Sequence, residues 1–299
     1  LYLLIVIFYL TIAVSKQDGS VNEFSIFVSI VLGLFLATYN DQFFLILKGT
    51  IFIQLILITF EFFTNTYIYQ EVSTGLMKQS VRAIDINSYG EIGHRPKGLF
   101  SGPLEATSFY ILSSLIFRKN KIILLLLLAM ALMSNGRLSI LVVSSVLITQ
   151  NGIKFTSIRG ILTLIVAMLT IFLGIYLQSD ETIASWRKVF LLDSISNIAR
   201  IRWYLAGFSE LRSFDLFSVF FGRGAYFQDL YNHSAESGLL SQLLIHGVLW
   251  STFLLSFIFY AGYKSGHYLV FMLLLICFVI YRIEAGFMRA CLLFFLVFL

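Results

Sequence analysis

A chain of 299 residues with 59% hydrophobic side chains, 12% charged ones and a mean hydropathy of +0.89 has more apolar surface than a soluble core can hide. That excludes a soluble globular domain and leaves an all-α, polytopic transmembrane helix bundle. The net charge is +5, so the position of each basic residue is informative. Cys277 and Cys291 lie inside apolar runs and read as small buried hydrophobes, neither a disulfide nor a metal pair.

A membrane crossing needs roughly 17 to 25 mostly apolar residues. In chain order the predicted crossings are 1–14, 22–39, 43–63, 101–117, 121–135, 137–150, 158–178, 237–260, 267–282 and 288–299, about ten in one membrane domain over 1–299. The first starts inside an apolar run and the last stops inside one too short to cross, so further helices are expected beyond one or both ends. Leu1 to Val14 has no basic leader or small-residue cleavage site that would mark a separable signal peptide. Two stretches, 64–98 and 178–236, are too polar to be lipid-buried throughout. They follow the third and seventh crossings, so parity puts both long loops on one side.

Short-loop basic residues set the orientation. Arg118, Lys119 and Lys121, then Lys154 with Arg159, then Lys264 occupy three short loops of the opposite parity, none containing an acid. That face is predicted to be cytoplasmic, and both long loops and the tight Ser134-Asn135-Gly136-Arg137 connection to be external. Eight of the twelve arginines then sit outside, against the usual bias: Arg82, Arg95, Arg137, Arg187, Arg200, Arg202, Arg212 and Arg223. Guanidinium binds phosphate or carboxylate with a planar fork and stays charged when partly desolvated. In the second loop the alternative is ordinary pairing with Asp180, Glu181, Asp193, Glu210, Asp215 and Asp229. Arg137 has no acid nearby in sequence and lies between two apolar segments, so it calls for a polar cavity or partner. The charged residues lie mostly at the ends of the apolar segments, Glu61 and Glu105 being the near exceptions.

Between Asp193 and Arg212, apolar residues recur at Ile195, Ile198, Ile201, Leu205, Phe208 and Leu211. The spacing predicts an amphipathic helix on the outer leaflet or packed on the membrane domain, with Arg200 and Arg202 within reach of headgroups or a lipid-borne substrate. Phe221-Gly222-Arg223-Gly224 follows, where glycines let backbone amides and guanidinium approach one anion. His233 and Glu236 then stand at the mouth of the next helix, and either could take a proton from a hydroxyl. A histidine in a polar loop and a carboxylate in a first helical turn also occur without any such role.

The order of these features resembles the O-antigen polymerase and O-antigen ligase superfamily. Arg95-Pro96-Lys97-Gly98-Leu99-Phe100 with Pro103 is similar to its Arg-x-x-Gly-x-Phe-x-x-Pro lead into a span. Ser134-Asn135-Gly136-Arg137 is similar to its Ser-x-Ser-Arg turn. Arg200-Ile201-Arg202-Trp203 followed by Phe221-Gly222-Arg223-Gly224 resembles its large external loop. Glu236-Ser237-Gly238, with Gly247 eleven residues after Glu236, resembles its lead into the late helix.

The resemblance implies metal-independent glycosyl transfer without a cofactor, at the outer face of the bacterial inner (cytoplasmic) membrane. The substrate it implies is an undecaprenyl-pyrophosphate-linked saccharide. Arg95, Arg137, Arg200, Arg202 and Arg223 would hold the pyrophosphate, and Glu236 or His233 would activate or orient the acceptor hydroxyl. Ligases of the family carry histidine where this chain has Glu236, which favours a polymerase of O-antigen or capsular repeat units over a ligase to lipid A core. The implied partners are the lipid-linked saccharide, the bilayer and a chain-length regulator, with no nucleic acid. A transporter of lipid-linked saccharides or anions is the alternative of another class; internal repeats and charged mid-membrane helix breaks, its usual marks, are not evident.

Overall fold

A computed structural model describes residues 21–66, 68, 96–100, 103–150, 195–224, 226–231, 237–265, 268–280, 283 and 286–298. All of the regular structure there is helical: α1 (Val21–Thr38), α2 (Asn40–Thr64), α3 (Pro103–Ile116), α4 (Lys121–Met133), α5 (Arg137–Gln150), α6 (Ile195–Arg212), α7 (Leu216–Phe221), α8 (Tyr226–Tyr231), α9 (Gly238–Ser265), α10 (Tyr268–Ile280) and α11 (Phe287–Phe298). Helices lie on the predicted segments 22–39, 43–63, 101–117, 121–135, 137–150, 237–260, 267–282 and 288–299, while 1–14 and 158–178 fall outside the described residues. Among the described residues two helices are long and apolar enough to cross a membrane, Asn40–Thr64 and Gly238–Tyr260. Others, such as Lys121–Met133, are apolar but too short for the roughly 17 residues a crossing needs.

The chain divides into two compact units, Asp41–Ile195 and Leu1–Asn40 with Ser196–Leu299. In the first, α2 buries one stripe, Phe43, Leu47, Ile51, Gln54, Ile58 and Glu61, at steps of three and four that keep one face inward. Its other faces leave Leu45, Ile46, Phe52, Ile53, Ile56, Phe60 and Phe63 exposed, in keeping with a candidate membrane-spanning helix. Helices α3, α4 and α5 pack on one another around Phe109, Leu112, Leu124, Leu127, Leu128, Val143 and Val146, all fully buried. Thr107, Ser108, Ser113 and Ser114 of α3 are buried with them, small side chains that let neighbouring helices approach closely. Helix α4 starts at Asn120, whose side chain accepts from the Ile123 amide at 3.2 Å.

In the second unit α1 lies along α11. A Cβ at Gly33 would stand 2.9 Å from that of Phe294, so the bare backbone is what permits the approach. Phe257 of α9 meets Phe294 edge to face with centroids 4.5 Å apart, and the Ser237 hydroxyl donates to the Val279 carbonyl of α10. Helices α7 and α8 pack against α9.

The helix expected over 193–212 forms as α6, but a different face turns inward. Trp203, Tyr204, Ala206 and Leu211 pack on Phe227, Leu240 and Leu244, while Ile201, Leu205 and Phe208 are exposed. Gly207 explains the choice: a Cβ there would lie 2.7 Å from a Leu240 methyl, so the glycine face is the one that can come close.

Candidate functional site

In the first unit the polar ends of the α2 stripe meet a distant segment of backbone. Glu61, fully buried, accepts from the amides of Lys97 at 2.7 Å and Gly98 at 2.9 Å through one oxygen, and of Ile68 at 3.2 Å through the other. Gln54, two helical turns earlier and equally buried, accepts from the Leu99 amide at 2.8 Å and donates to the Lys97 carbonyl at 3.0 Å. The three consecutive amides of residues 97–99 are thus held by two side chains of one helix. Gly98 has φ 59°, and a Cβ there would run into the Gln54 amide, which gives the glycine of the Arg-x-x-Gly pattern a physical cause.

The second donor of Gln54 extends the network. Its amide nitrogen also donates to the Tyr110 hydroxyl at 2.9 Å, and that hydroxyl meets the Ser134 side chain. Ser134 caps α4, and the turn it opens closes like a Schellman motif: the Gly136 amide returns to Ala131 O at 2.9 Å and the Asn135 amide to Leu132 O at 3.0 Å. Asn135 takes the left-handed position at φ 50°, which asparagine tolerates better than most residues. Helix α5 begins at once, with Arg137 half-buried in its first position. An arginine there opposes the helix dipole, so it is not placed for helix stability; an anion beside it would meet both guanidinium and the helix N-terminus.

In the second unit Arg223 is engaged by its own loop. Nη1 donates to Glu210 Oε1 at 2.7 Å and to Ser213 Oγ at 3.0 Å, and Nη2 donates to the Ser213 carbonyl at 2.7 Å. The guanidinium also lies 4.6 Å above the Phe214 ring. Asp215 caps α7 by accepting from the Ser218 amide at 3.2 Å. The Ser218 hydroxyl, foremost, then the backbone amides and the nearby Arg223 charge hold the Asp215 carboxyl below its ordinary pKa.

The glycines flanking that arginine serve a helix break. Helix α9 is interrupted at Gly247 (φ 76°, ψ −174°), and the amides of Arg223 and Gly224 donate to Leu244 O at 2.9 Å and Ile245 O at 3.0 Å. These carbonyls lie in the turn just before the break, where a helix leaves acceptors unfilled. Gly222 (φ 72°) faces Ile245 and His246, and Gly247 faces Phe220 and Gly222, each so closely that a Cβ on either would collide with backbone.

Of the site residues expected from sequence, Arg95, His233 and Glu236 lie outside the described residues, as does the side chain of Arg200. Arg202 is exposed on α6 and Arg137 stands at the start of α5. The structure joins the Lys97–Phe100 segment to the Ser134–Arg137 turn, and Gly222 to Gly247. Sequence reasoning missed Gln54 and Tyr110, and noted Glu61 only as an odd charge. Two polar residues at a helical repeat inside an apolar stretch were the available signal. No family model, curated protein or solved structure matches this chain. Among the described residues the regular structure is helical, with two helices long and apolar enough to span a bilayer.

Proposed function

We propose that the protein polymerises undecaprenyl-pyrophosphate-linked oligosaccharide repeat units, for O-antigen or capsule, at the outer face of a bacterial inner membrane. The acceptor hydroxyl oxygen bonds to the anomeric carbon, the bond from that carbon to the pyrophosphate breaks, and undecaprenyl pyrophosphate leaves with the electron pair. Glu236 or His233 takes the hydroxyl proton. Arg95 and Arg137, with Arg200 or Arg202 from the large loop, stabilise the charge on the departing pyrophosphate without reorganising. Arg223, occupied by Glu210 and Ser213, braces the loop instead.

The observation that carries this reading is the buried link from Lys97 through Gln54 and Tyr110 to Ser134, which ties two of the four family-like segments into one network. The way Glu61 is used argues against a transport role, since its carboxylate is committed to three backbone amides.

Surface polysaccharide from a deletion strain tests the reaction. Single repeat units in place of long chains mean polymerase; polymer made but left unattached means ligase. In complementation, Arg137→Lys keeps the charge and loses the fork, and normal polymer yield would remove Arg137 from the site. Glu236→Gln and His233→Ala separate the two base candidates, and full activity in both would sink the acid/base assignment.

A further inference from the structure

We infer that Gln54 and Glu61 are positioning residues for the pyrophosphate site, fixing the Lys97–Leu99 backbone and, through Tyr110, the turn that presents Arg137. The inference rests on the polymerase reading above. Every backbone amide from Lys97 to Leu99, and the Lys97 carbonyl, ends on one of these two side chains. Arg95 precedes that clamped stretch by two residues in the chain.

A buried carboxylate is an expensive way to hold a loop, because taking the charge out of water carries a desolvation penalty that apolar packing would not incur. What the charge supplies is directional: charge-assisted hydrogen bonds are roughly twice as strong as neutral ones. With the Gln54 amide meeting the Leu99 amide and the Lys97 carbonyl, three consecutive backbone amides are held from one helix. A site that must hold arginines in place before the leaving group develops its charge needs that rigidity, since displacement by about 1 Å can lower a rate on the order of 10²-fold. Gly98 is part of the same device, because its bare Cα lets the backbone lie against Gln54.

The full chain in lipid nanodiscs, titrated with inorganic pyrophosphate, tests this. Wild type is expected to bind and Arg137→Ala to lose binding. Glu61→Gln and Gly98→Ala are expected to weaken binding about tenfold while remaining folded by circular dichroism and gel filtration, with Glu61→Asp recovering part of the affinity. A merely structural role would leave affinity unchanged in every variant that folds. If Glu61→Gln and Gly98→Ala bind like wild type while Arg137→Ala does not, the positioning role is overturned and the polymerase reading stands. If Glu61→Gln fails to fold, Gly98→Ala, which removes no hydrogen-bonding group, decides the matter. If wild type neither binds pyrophosphate nor polymerises a lipid-linked repeat unit, the polymerase reading fails first and the inference with it.

Discussion

Gly247 lies against the backbone of Gly222, each in a conformation with positive φ: a Cβ on Gly247 would run into Phe220 and Gly222, and one on Gly222 into Ile245 and His246. Between them they seat the Arg223 and Gly224 amides on carbonyls that the break in α9 leaves open. Alanine at either position therefore meets two penalties, the left-handed backbone and the collision. Each substitution is expected to cost about 2 kcal/mol or more, and the pair less than the sum because they disrupt one contact. Thermal melts of the single and double variants in detergent check this; additive losses would mean the two glycines act separately.

Arg223 and Glu210 should behave as a coupled pair. Arg223→Lys keeps a charge but cannot reach Glu210, Ser213 Oγ and Ser213 O together, and should cost ~1 kcal/mol, between the values for exposed and buried pairs. A double-mutant cycle with Glu210→Gln should show positive coupling. Independent effects on stability, with loss of pyrophosphate binding only in the arginine variant, would instead return Arg223 to the substrate.

Asn135 occupies a left-handed position that the short turn requires. Asn135→Gly should be neutral or slightly stabilising, whereas Asn135→Val should cost about 1–2 kcal/mol, because a branched Cβ crowds the carbonyl there. Denaturant melts rank the two variants; equal stability would mean that the turn relaxes.

Acid should loosen the start of α7. The Asp215 carboxyl is held below its ordinary pKa by Ser218, so its contribution is complete above the unfolded carboxylate's pKa and disappears as pH falls through the lower folded value. Hydrogen exchange at the Ser218 amide should accelerate over that acid range in wild type. Asp215→Asn, which keeps a capping oxygen but does not titrate, should flatten the dependence.

Much of the helical layout was legible because apolar runs bounded by polar turns leave few alternatives. Faces were harder to read. In α6 the apolar series through Ile201, Leu205 and Phe208 and the series through Trp203 and Gly207 both fit a helical repeat. Only the close approach at Gly207 decides which turns inward. The site shows the same limit. Gly98 and Arg137 stood out by pattern, but the partners that explain or support them, Gln54, Glu61 and Tyr110, come from helices far away in the chain, and one sequence does not reveal such pairings. Gly-Arg-Gly looked like an anion clamp because glycines beside an arginine suit one. The structure uses those glycines for a helix break and the arginine to hold Glu210 and Ser213.

The break at Gly247 also changes how length should be counted along α9. From Val248 to Ser265 the helix already reaches about 27 Å at ~1.5 Å per residue, close to the ~30 Å of hydrocarbon in a bilayer. The candidate span Gly238–Tyr260 therefore carries a bend within it, and the stretch before the break, with Ser241, Gln242 and His246, need not share the axis of the rod that follows. A single continuous hydropathy peak thus conceals two helical pieces joined at a glycine.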